Sequence, residues 1–334
     1  MRFDIHVHVP VLEDKRGRNH LCPPRRRSLL LRHLVRRVQR IQREDGGRPD
    51  APWRRLDTWM RESALDRFVL LAIDKAHRAD GSPDLENTRV SIDNDFVAER
   101  AAQHPKALFG ASVHPLRPDA LAELDRVAAR GACLVKWLPS AQNISPDDER
   151  CIPFYERLAD LGMPLLSHTG IEHTLGAFDD DLNAPRRLRL ALERGVTVIA
   201  AHCGARMYLH ERSSFGEWRR MALEHPRLFG DISGFALPVH GAPRRSILRE
   251  PDLGAKVVFG SDFPAHAFPR WCLFPFRVRD GLALHRVRNP FVRAAGTMRA
   301  LGIPEAAFTR AGALLRLARG LGPAAEGGES PAVA

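Results

Sequence analysis

The chain has 334 residues, of which 44% are apolar and 27% are charged. This composition excludes disordered and fibrous proteins and suits either two domains or one large barrel. The net charge of +11 comes mostly from arginines spread over the whole length. Because no nucleic-acid-binding motif accompanies them, a small anionic substrate explains the charge better than nucleic acid does. No apolar run approaches the ~18 residues of a membrane span, and the opening segment MRFDIHVHV does not have the pattern of a signal peptide. The five cysteines form no CxxC pair, which suits a reducing compartment. We therefore expect a cytoplasmic protein with no membrane partner.

Short apolar segments bounded by turns alternate with amphipathic helical segments along the chain. Eight candidate strands are found: Arg2–His8, Phe68–Ile73, Ala107–His114, Ala132–Trp137, Pro164–His168, Val196–His202, Leu228–Ser233 and Lys256–Asp262. The helical segments between them carry charges on one face and Leu, Ala or Val on the other. Eight strand–helix repeats predict an α/β fold, a (β/α)8 TIM barrel, over residues 1–320 as a single domain.

The first repeat contains an insertion, residues 9–53, which begins with an arginine-rich loop. From Ser28 onward apolar residues recur at helical spacing with arginines opposite, which predicts a basic amphipathic helix. We expect this helix to pack on the barrel with a solvated basic face; a membrane-surface helix and a dimer helix are the alternatives. Because the insertion follows strand one, residues 9–28 should start on the catalytic face and form a basic lid, with Arg25, Arg26 and Arg27 facing an anionic substrate.

The end of the chain is predicted to be helical and then disordered. Two helical segments, Phe291–Leu301 and Pro304–Arg319, follow the last strand, and Pro304 suits a helix start. Residues 321–334 are small and polar and predict a disordered tail. The apolar runs Leu29–Leu31 and Trp271–Phe276 could pack internally or form a homodimer contact, and we favour a dimer.

Strand one carries three titratable residues at alternate positions, Asp4, His6 and His8. Alternate residues of a strand share a face, so these three should point into the barrel while the apolar residues Phe3, Ile5, Val7 and Val9 face the helices. Unpartnered buried charges are costly, and a bound cation would remove that cost. The two imidazoles are close enough to share one metal ion, although a pair of hydrogen-bonded core histidines would give the same pattern.

Four other strands also end in a polar residue after an apolar run: Lys136 in LVKWLP, His168 in PLLSHTG, His202 in VIAAHCG and Asp262 in VVFGSDFP. In a parallel barrel these strand ends gather in one ring on the top face, where barrel enzymes place catalysis. The rim should also hold His114, Asp231 and the loop residue His173. We expect His114 and Asp231 either to support the site or to cap loops, and His173 either to contact substrate or to be solvated.

The D-x-H-x-H of strand one, the SHTG and AHCG strand ends and the FGSDFP segment together resemble the amidohydrolase superfamily. The resemblance spans Asp4 to Pro264 and is closest to the group that includes aminocarboxymuconate semialdehyde decarboxylase and pyrone dicarboxylate lactonase. It implies one divalent metal ion, usually zinc, held by His6, His8, His168 and Asp262. It also implies that His202 is an acid/base group or a ligand of a second metal.

Lys136 departs from the decarboxylase-like members, which lack a lysine on strand four. It could be carboxylated and bridge two metal ions, hold a substrate carboxylate, or extend to solvent. The arginine-rich insertion has no clear counterpart in the family, so the identity of the substrate does not carry over from the family.

These features predict a metal-dependent hydrolase acting on a lactone, an amide or a related carboxylated small molecule. Either Asp262 or His202 would accept the proton of the attacking water, while Lys136, His173 and Arg25 would contact the substrate. A metal-dependent non-oxidative decarboxylase is the alternative within the family. A non-catalytic or nucleic-acid-binding barrel is the alternative from another class.

Overall fold

The computed structural model describes residues 1–10, 17–264, 269 and 277–317. Eight of its strands are parallel members of one sheet: β1 (Phe3–His8), β3 (Arg67–Leu71), β5 (Ala107–Ala111), β6 (Ala132–Trp137), β7 (Leu165–His168), β8 (Val198–Ala201), β9 (Leu228–Asp231) and β10 (Val257–Val258). They follow one another around the sheet in chain order. The last strand returns to the first, because the Ile5 amide donates to the Phe259 carbonyl at 3.2 Å and the His8 amide to the Phe263 carbonyl at 2.8 Å. The predicted TIM barrel is confirmed.

Helices lie between the strands and after them. Those before β10 are α1 (Leu29–Glu44), α2 (Ala51–Glu62), α3 (Asn94–Ala102), α4 (Ala120–Ala129), α5 (Pro139–Gln142), α6 (Ile152–Asp160), α7 (Arg189–Glu193), α8 (Phe215–Glu224), α9 (Gly241–Arg249) and α10 (Pro251–Gly254). After β10 come α11 (Val278–Arg286), α12 (Pro290–Ala300), α13 (Ala306–Thr309) and α14 (Ala311–Leu314). Among the described residues, no helix has the length and hydropathy needed to cross a membrane.

The alternation of strand one differs from the sequence expectation. The pairing of β1 with β3 shifts register between Asp4 and Val7. Phe3 and Ile5 consequently pack with alternate residues of the other strands in the barrel interior, whereas Val7 and Val9 pack with the helices. The expectation that all four apolar residues face the helices is therefore wrong for Phe3 and Ile5, because an irregularity in a strand reverses the face of the residues beyond it.

The insertion after β1 is held against the top of the barrel. Its helix α1 begins after Ser28, whose hydroxyl caps the helix by accepting from the Leu31 amide at 3.0 Å and donates to the Thr174 carbonyl at 2.7 Å. Leu31 and Val35 pack against Leu175 and a two-stranded antiparallel ribbon, β2 (His20–Leu21) with β4 (Val90–Ser91). Its other face, which includes Arg32, Arg36 and Arg40, is exposed. This is the expected packed helix with a solvated basic face.

The predicted helix Pro304–Arg319 is instead divided into α13 and α14. Leu315 is extended, and the Arg316 amide donates to the Cys133 carbonyl at 3.0 Å. Ala311 and Leu315 pack beside Phe3 and Ile5. Burial of this segment against the barrel interior outweighs its helical propensity. The predicted tail, 321–334, the segment Trp271–Phe276 and residues 11–16 of the insertion lie outside the described residues.

Candidate metal centre

Three of the predicted ligands bring their metal-binding atoms together at the top of the barrel. His6 Nε2 lies 3.2 Å from His8 Nε2 and 3.3 Å from Asp262 Oδ1, and His8 Nε2 lies 3.5 Å from the same oxygen. His6 is buried, while His8 and Asp262 are 18% and 26% exposed. Burial, with smaller effects of neighbouring charges, lowers the pKa of His6 to about 4. His6 is therefore neutral at pH 7, as a metal ligand must be.

His168, at the end of β7, and His202, directly after β8, lie beside this group. Their ring centroids are 4.9 Å apart, and the His202 ring is 5.5 Å from that of His6. One ring nitrogen of His202 is also within 4.8 Å of the ligand atoms of His6 and Asp262. His168 is buried, and its Nε2 has no hydrogen-bond partner among the described residues. Burial, then the nearby His202, holds the pKa of His168 well below its usual range.

Two of these residues adopt backbone conformations that side chains rarely tolerate. His202 has φ +62°, and Asp262 has φ +54°. The left-handed region costs a non-glycine residue on the order of 1 kcal/mol or more, and such residues concentrate at functional sites. At His202 this turn ends β8, and the next residue, Cys203, is also left-handed with φ +51°. Cys203 is buried and packs with the residues of the core.

The orientation of His6 is fixed from β9. The Nδ1–H of His6 donates to Asp231 Oδ2 at 2.7 Å, and both side chains are buried. Burial would raise the pKa of Asp231, but His6, His202 and the Ser233 hydroxyl together outweigh it and keep that pKa below its usual range. The sequence left two roles open for Asp231, and the structure gives it the supporting one.

Lys136 on β6 is completely buried, and its Nζ has no hydrogen-bond partner among the described residues. Burial lowers its pKa to about 8, against the attraction of Asp231, Asp262 and Glu172. The alternative in which Lys136 reaches solvent is therefore wrong. Carboxylation and contact with a substrate both stay open for this lysine.

Glu172 is a carboxylate that the sequence reasoning missed. It lies four residues after His168, with 6% of its side chain exposed and Oε2 3.6 Å from His168 Nε2. Its Oε1 accepts from the backbone amides of Thr174 and Leu175 at 2.6 and 3.0 Å. The SHTGIEHT segment contained this residue, but no strand position marked it, because it is placed by the turn that its own carboxylate caps.

The other predicted rim residues lie outside this cluster. His173 Nε2 is 2.8 Å from Glu211 Oε1 and its ring packs on Tyr208. His114 is buried with its Nε2 3.1 Å from the Gln142 carbonyl and its ring against His77. Within the described part of the chain, no hydrogen bond or ion pair joins either residue to the cluster of His6 and Asp262.

Two arginines of the predicted lid are held by groups outside the metal-ligand cluster. Arg26 binds the backbone carbonyl and the carboxylate of Glu86, and Arg27 donates to the Cys22 carbonyl at 2.8 Å. Arg25 is exposed, and among the described residues no hydrogen bond or ion pair connects it to the metal-ligand cluster. Its contact with a substrate stays a prediction.

The ligand geometry fits a divalent ion. Ligand atoms about 2.0–2.1 Å from a tetrahedral zinc ion are about 3.3 Å apart. The separations among His6, His8 and Asp262 are 3.2, 3.3 and 3.5 Å. These separations match those between ligands of one ion, and the imidazole and carboxylate donors are those that zinc binds.

A comparison with protein families agrees with this arrangement. A family profile described as amidohydrolase matches residues 3–280, which include every residue of the cluster. The chain belongs to the amidohydrolase family. It is an enzyme, which leaves the non-catalytic alternative without support. No curated protein matches the sequence.

Solved structures similar to this amidohydrolase share its fold at low sequence identity. An uncharacterised TIM-barrel protein from Bordetella bronchiseptica is 17% identical with a TM-score of 0.55, covering 90% of this chain and 98% of that one. A candidate 2-pyrone-4,6-dicarboxylic acid hydrolase from Pseudomonas putida is 18% identical with a TM-score of 0.53, covering 90% of each chain. 5-Carboxyvanillate decarboxylase from Sphingomonas paucimobilis is 15% identical with a TM-score of 0.47, covering 91% and 99%. At these identities the two likenesses with TM-scores above 0.5 establish the barrel fold alone.

Proposed function

We propose that this amidohydrolase-family enzyme is a zinc-dependent hydrolase of a lactone, an amide or a related carboxylated small molecule. The observation that carries the proposal is the near-equilateral triangle of His6 Nε2, His8 Nε2 and Asp262 Oδ1, with sides of 3.2 to 3.5 Å. His168 would be a fourth ligand, since its buried Nε2 has no hydrogen-bond partner among the residues described. When bound, the ion would supply Lewis-acid activation of water and of the substrate carbonyl group.

The proton of the attacking water would be accepted by a side chain of this cluster. His202 is placed for that task because one of its ring nitrogens is within 4.8 Å of the His6 and Asp262 atoms, which is one water molecule away from hydrogen-bond contact. Asp262 is the other candidate, since a quarter of its side chain is exposed at the top of the barrel. The same group would then return the proton to the leaving alcohol or amine.

A carboxylate of the substrate would be held by Lys136. Its ammonium group is completely buried and unpaired among the described residues, and an unpaired buried charge is costly. An anionic group of the substrate beside the ammonium group would remove that cost. Carboxylation of Lys136, giving a bridge between two metal ions, would remove it as well, and the number of bound ions distinguishes the two.

Metal analysis of the purified enzyme tests the proposal. We expect one equivalent of zinc in the wild type, and loss of tight zinc binding in His6→Ala. The matched control is His285→Ala, an exposed histidine of α11, which should keep the full equivalent. Zinc retention by His6→Ala would refute the metal centre, and two equivalents in the wild type would favour carboxylated Lys136.

Product analysis separates hydrolysis from decarboxylation. With carboxylated lactones or amides as probes, a hydrolase releases alcohol or amine and no carbon dioxide. Release of carbon dioxide without hydrolysis would overturn the proposed reaction while leaving the metal centre intact. His202→Asn should keep zinc and lose most of its turnover; if zinc is lost with the activity, His202 is a ligand.

A further inference from the structure

A buried carboxylate on β9 connects the proposed metal ligand His6 with His202. Asp231 Oδ2 accepts from His6 Nδ1–H at 2.7 Å. Its Oδ1 accepts from the backbone amides of Ser233 and His202 at 2.8 and 3.3 Å, and also from the Ser233 hydroxyl. A carboxylate with four donors has no capacity left for another strong partner, so its orientation is fixed.

The Ser233 hydroxyl also contacts His202, with Oγ 2.9 Å from Nδ1. A hydroxyl has a single hydrogen. Because an ionised carboxylate can only accept, that hydrogen is donated to Asp231. Toward His202 the serine oxygen must therefore act as the acceptor, and the hydrogen between Oγ and Nδ1 belongs to the imidazole.

A second acceptor supports the same assignment. The backbone carbonyl of Ser233 lies 3.3 Å from His202 Nδ1, and a carbonyl oxygen can only accept. If Nδ1 carried a lone pair instead, it would face the lone pairs of the Ser233 hydroxyl and carbonyl oxygens, which is unfavourable. Ser233 is 0% exposed, so water cannot relieve this repulsion at its oxygens. Both contacts are favourable only for the form of neutral histidine that is protonated on Nδ1.

We infer that Ser233 is a positioning residue that holds His202 as the Nδ1–H tautomer, so that its Nε2 presents a lone pair to the reaction centre. Ser233 and Asp231 are hydrogen-bonded to each other, and they give His202 and His6, respectively, the same Nδ1–H tautomer. The inference rests on the proposed function in that an unprotonated Nε2 is what a general base or a ligand needs. The tautomer itself requires neither metal nor substrate.

The test is a long-range ¹H–¹⁵N correlation spectrum of the histidine rings in the metal-free full-length protein at pH 8. Signals of His202 are identified by their loss in His202→Asn. We expect the wild type to show the pattern of the Nδ1–H tautomer at His202. A wild-type spectrum with the Nε2–H pattern at His202 would overturn the inference directly.

Ser233→Ala then tests the serine itself. We expect the Nε2–H form of His202 to become populated. Zinc affinity, measured by chelator competition, should fall at least tenfold, because the Ser233 hydroxyl also donates to Asp231, the carboxylate that supports the ligand His6. Ser140→Ala is the matched control, because Ser140 is also buried and hydrogen-bonded, to Asn183, and it should leave both the tautomer and the affinity unchanged. An unaltered His202 pattern in Ser233→Ala would refute the role of the hydroxyl. Because the spectrum is recorded without metal or substrate, a failure of the hydrolase proposal leaves this test valid.

Discussion

Gly260 follows β10, the last strand of the barrel, and its backbone lies against His6. Replacing Gly260 with alanine should damage the metal centre without removing any ligand. A Cβ at this position would lie 2.8 Å from His6 Cβ, about 0.6 Å inside the 3.4 Å where ordinary contact begins. It would also lie 3.5 Å from Asp231 Cγ. His6 cannot move away freely, because its Nδ1 is hydrogen-bonded to Asp231 at 2.7 Å. The added methyl group must therefore strain the pair or break it.

Two losses are expected from Gly260→Ala. Overpacking of a closely filled interior costs about 1–3 kcal/mol of unfolding free energy. Displacement of a metal ligand from its supporting partner lowers metal affinity by about 10- to 100-fold. Urea unfolding of the metal-free protein measures the first, and chelator competition for zinc measures the second.

Gly216→Ala is the control, since a Cβ on this glycine of α8 meets nothing within 4 Å. It should be neutral or stabilising by about 0.4–1 kcal/mol, because alanine restricts the unfolded chain more than glycine does. If Gly260→Ala binds zinc as tightly as the wild type and unfolds at the same urea concentration, the close approach of Gly260 to His6 is wrong.

Two further predictions concern pH and the arginine-rich insertion. Burial, then the neighbouring His77, lowers the pKa of His114 to about 3 from its usual 6.5. As pH falls, the histidine of the unfolded chain therefore takes up a proton before the folded one does. The free energy of unfolding should decrease by up to about 1.4 kcal/mol per pH unit as pH drops from 6.5 toward 3. Urea unfolding against pH should be less steep in His114→Asn, and an equal slope in both proteins would contradict the assignment. Arg25→Gln breaks no described contact and should raise KM for an anionic substrate about two- to fivefold with kcat nearly unchanged. The increase in KM should become smaller at high salt. An unchanged KM would show that Arg25 does not contact the substrate.

The sequence by itself determined the barrel and the place of its chemistry. Strand one and four other predicted strands end in a polar residue, and a parallel barrel brings such ends together whatever the details of packing. His6, His8 and Asp262 could be predicted as neighbours on that ground, and the structure places their ligand atoms 3.2 to 3.5 Å apart. The helix after Ser28 was equally readable, because its apolar spacing and its capping serine are local signals.

The tertiary structure alone decided how those residues are oriented and supported. Period-two alternation placed Ile5 on the wrong face, because the register shift in β1 depends on pairing with β3, which no local pattern records. The complete burial of Lys136 and the position of Glu172 beside His168 depend on loops and strands distant in sequence. The same is true of the hydrogen bonds that join Asp231 to His6, across 225 positions of the chain. Sequence patterns report which residues share a strand end, whereas hydrogen-bond direction and burial follow from contacts that exist only in the folded barrel.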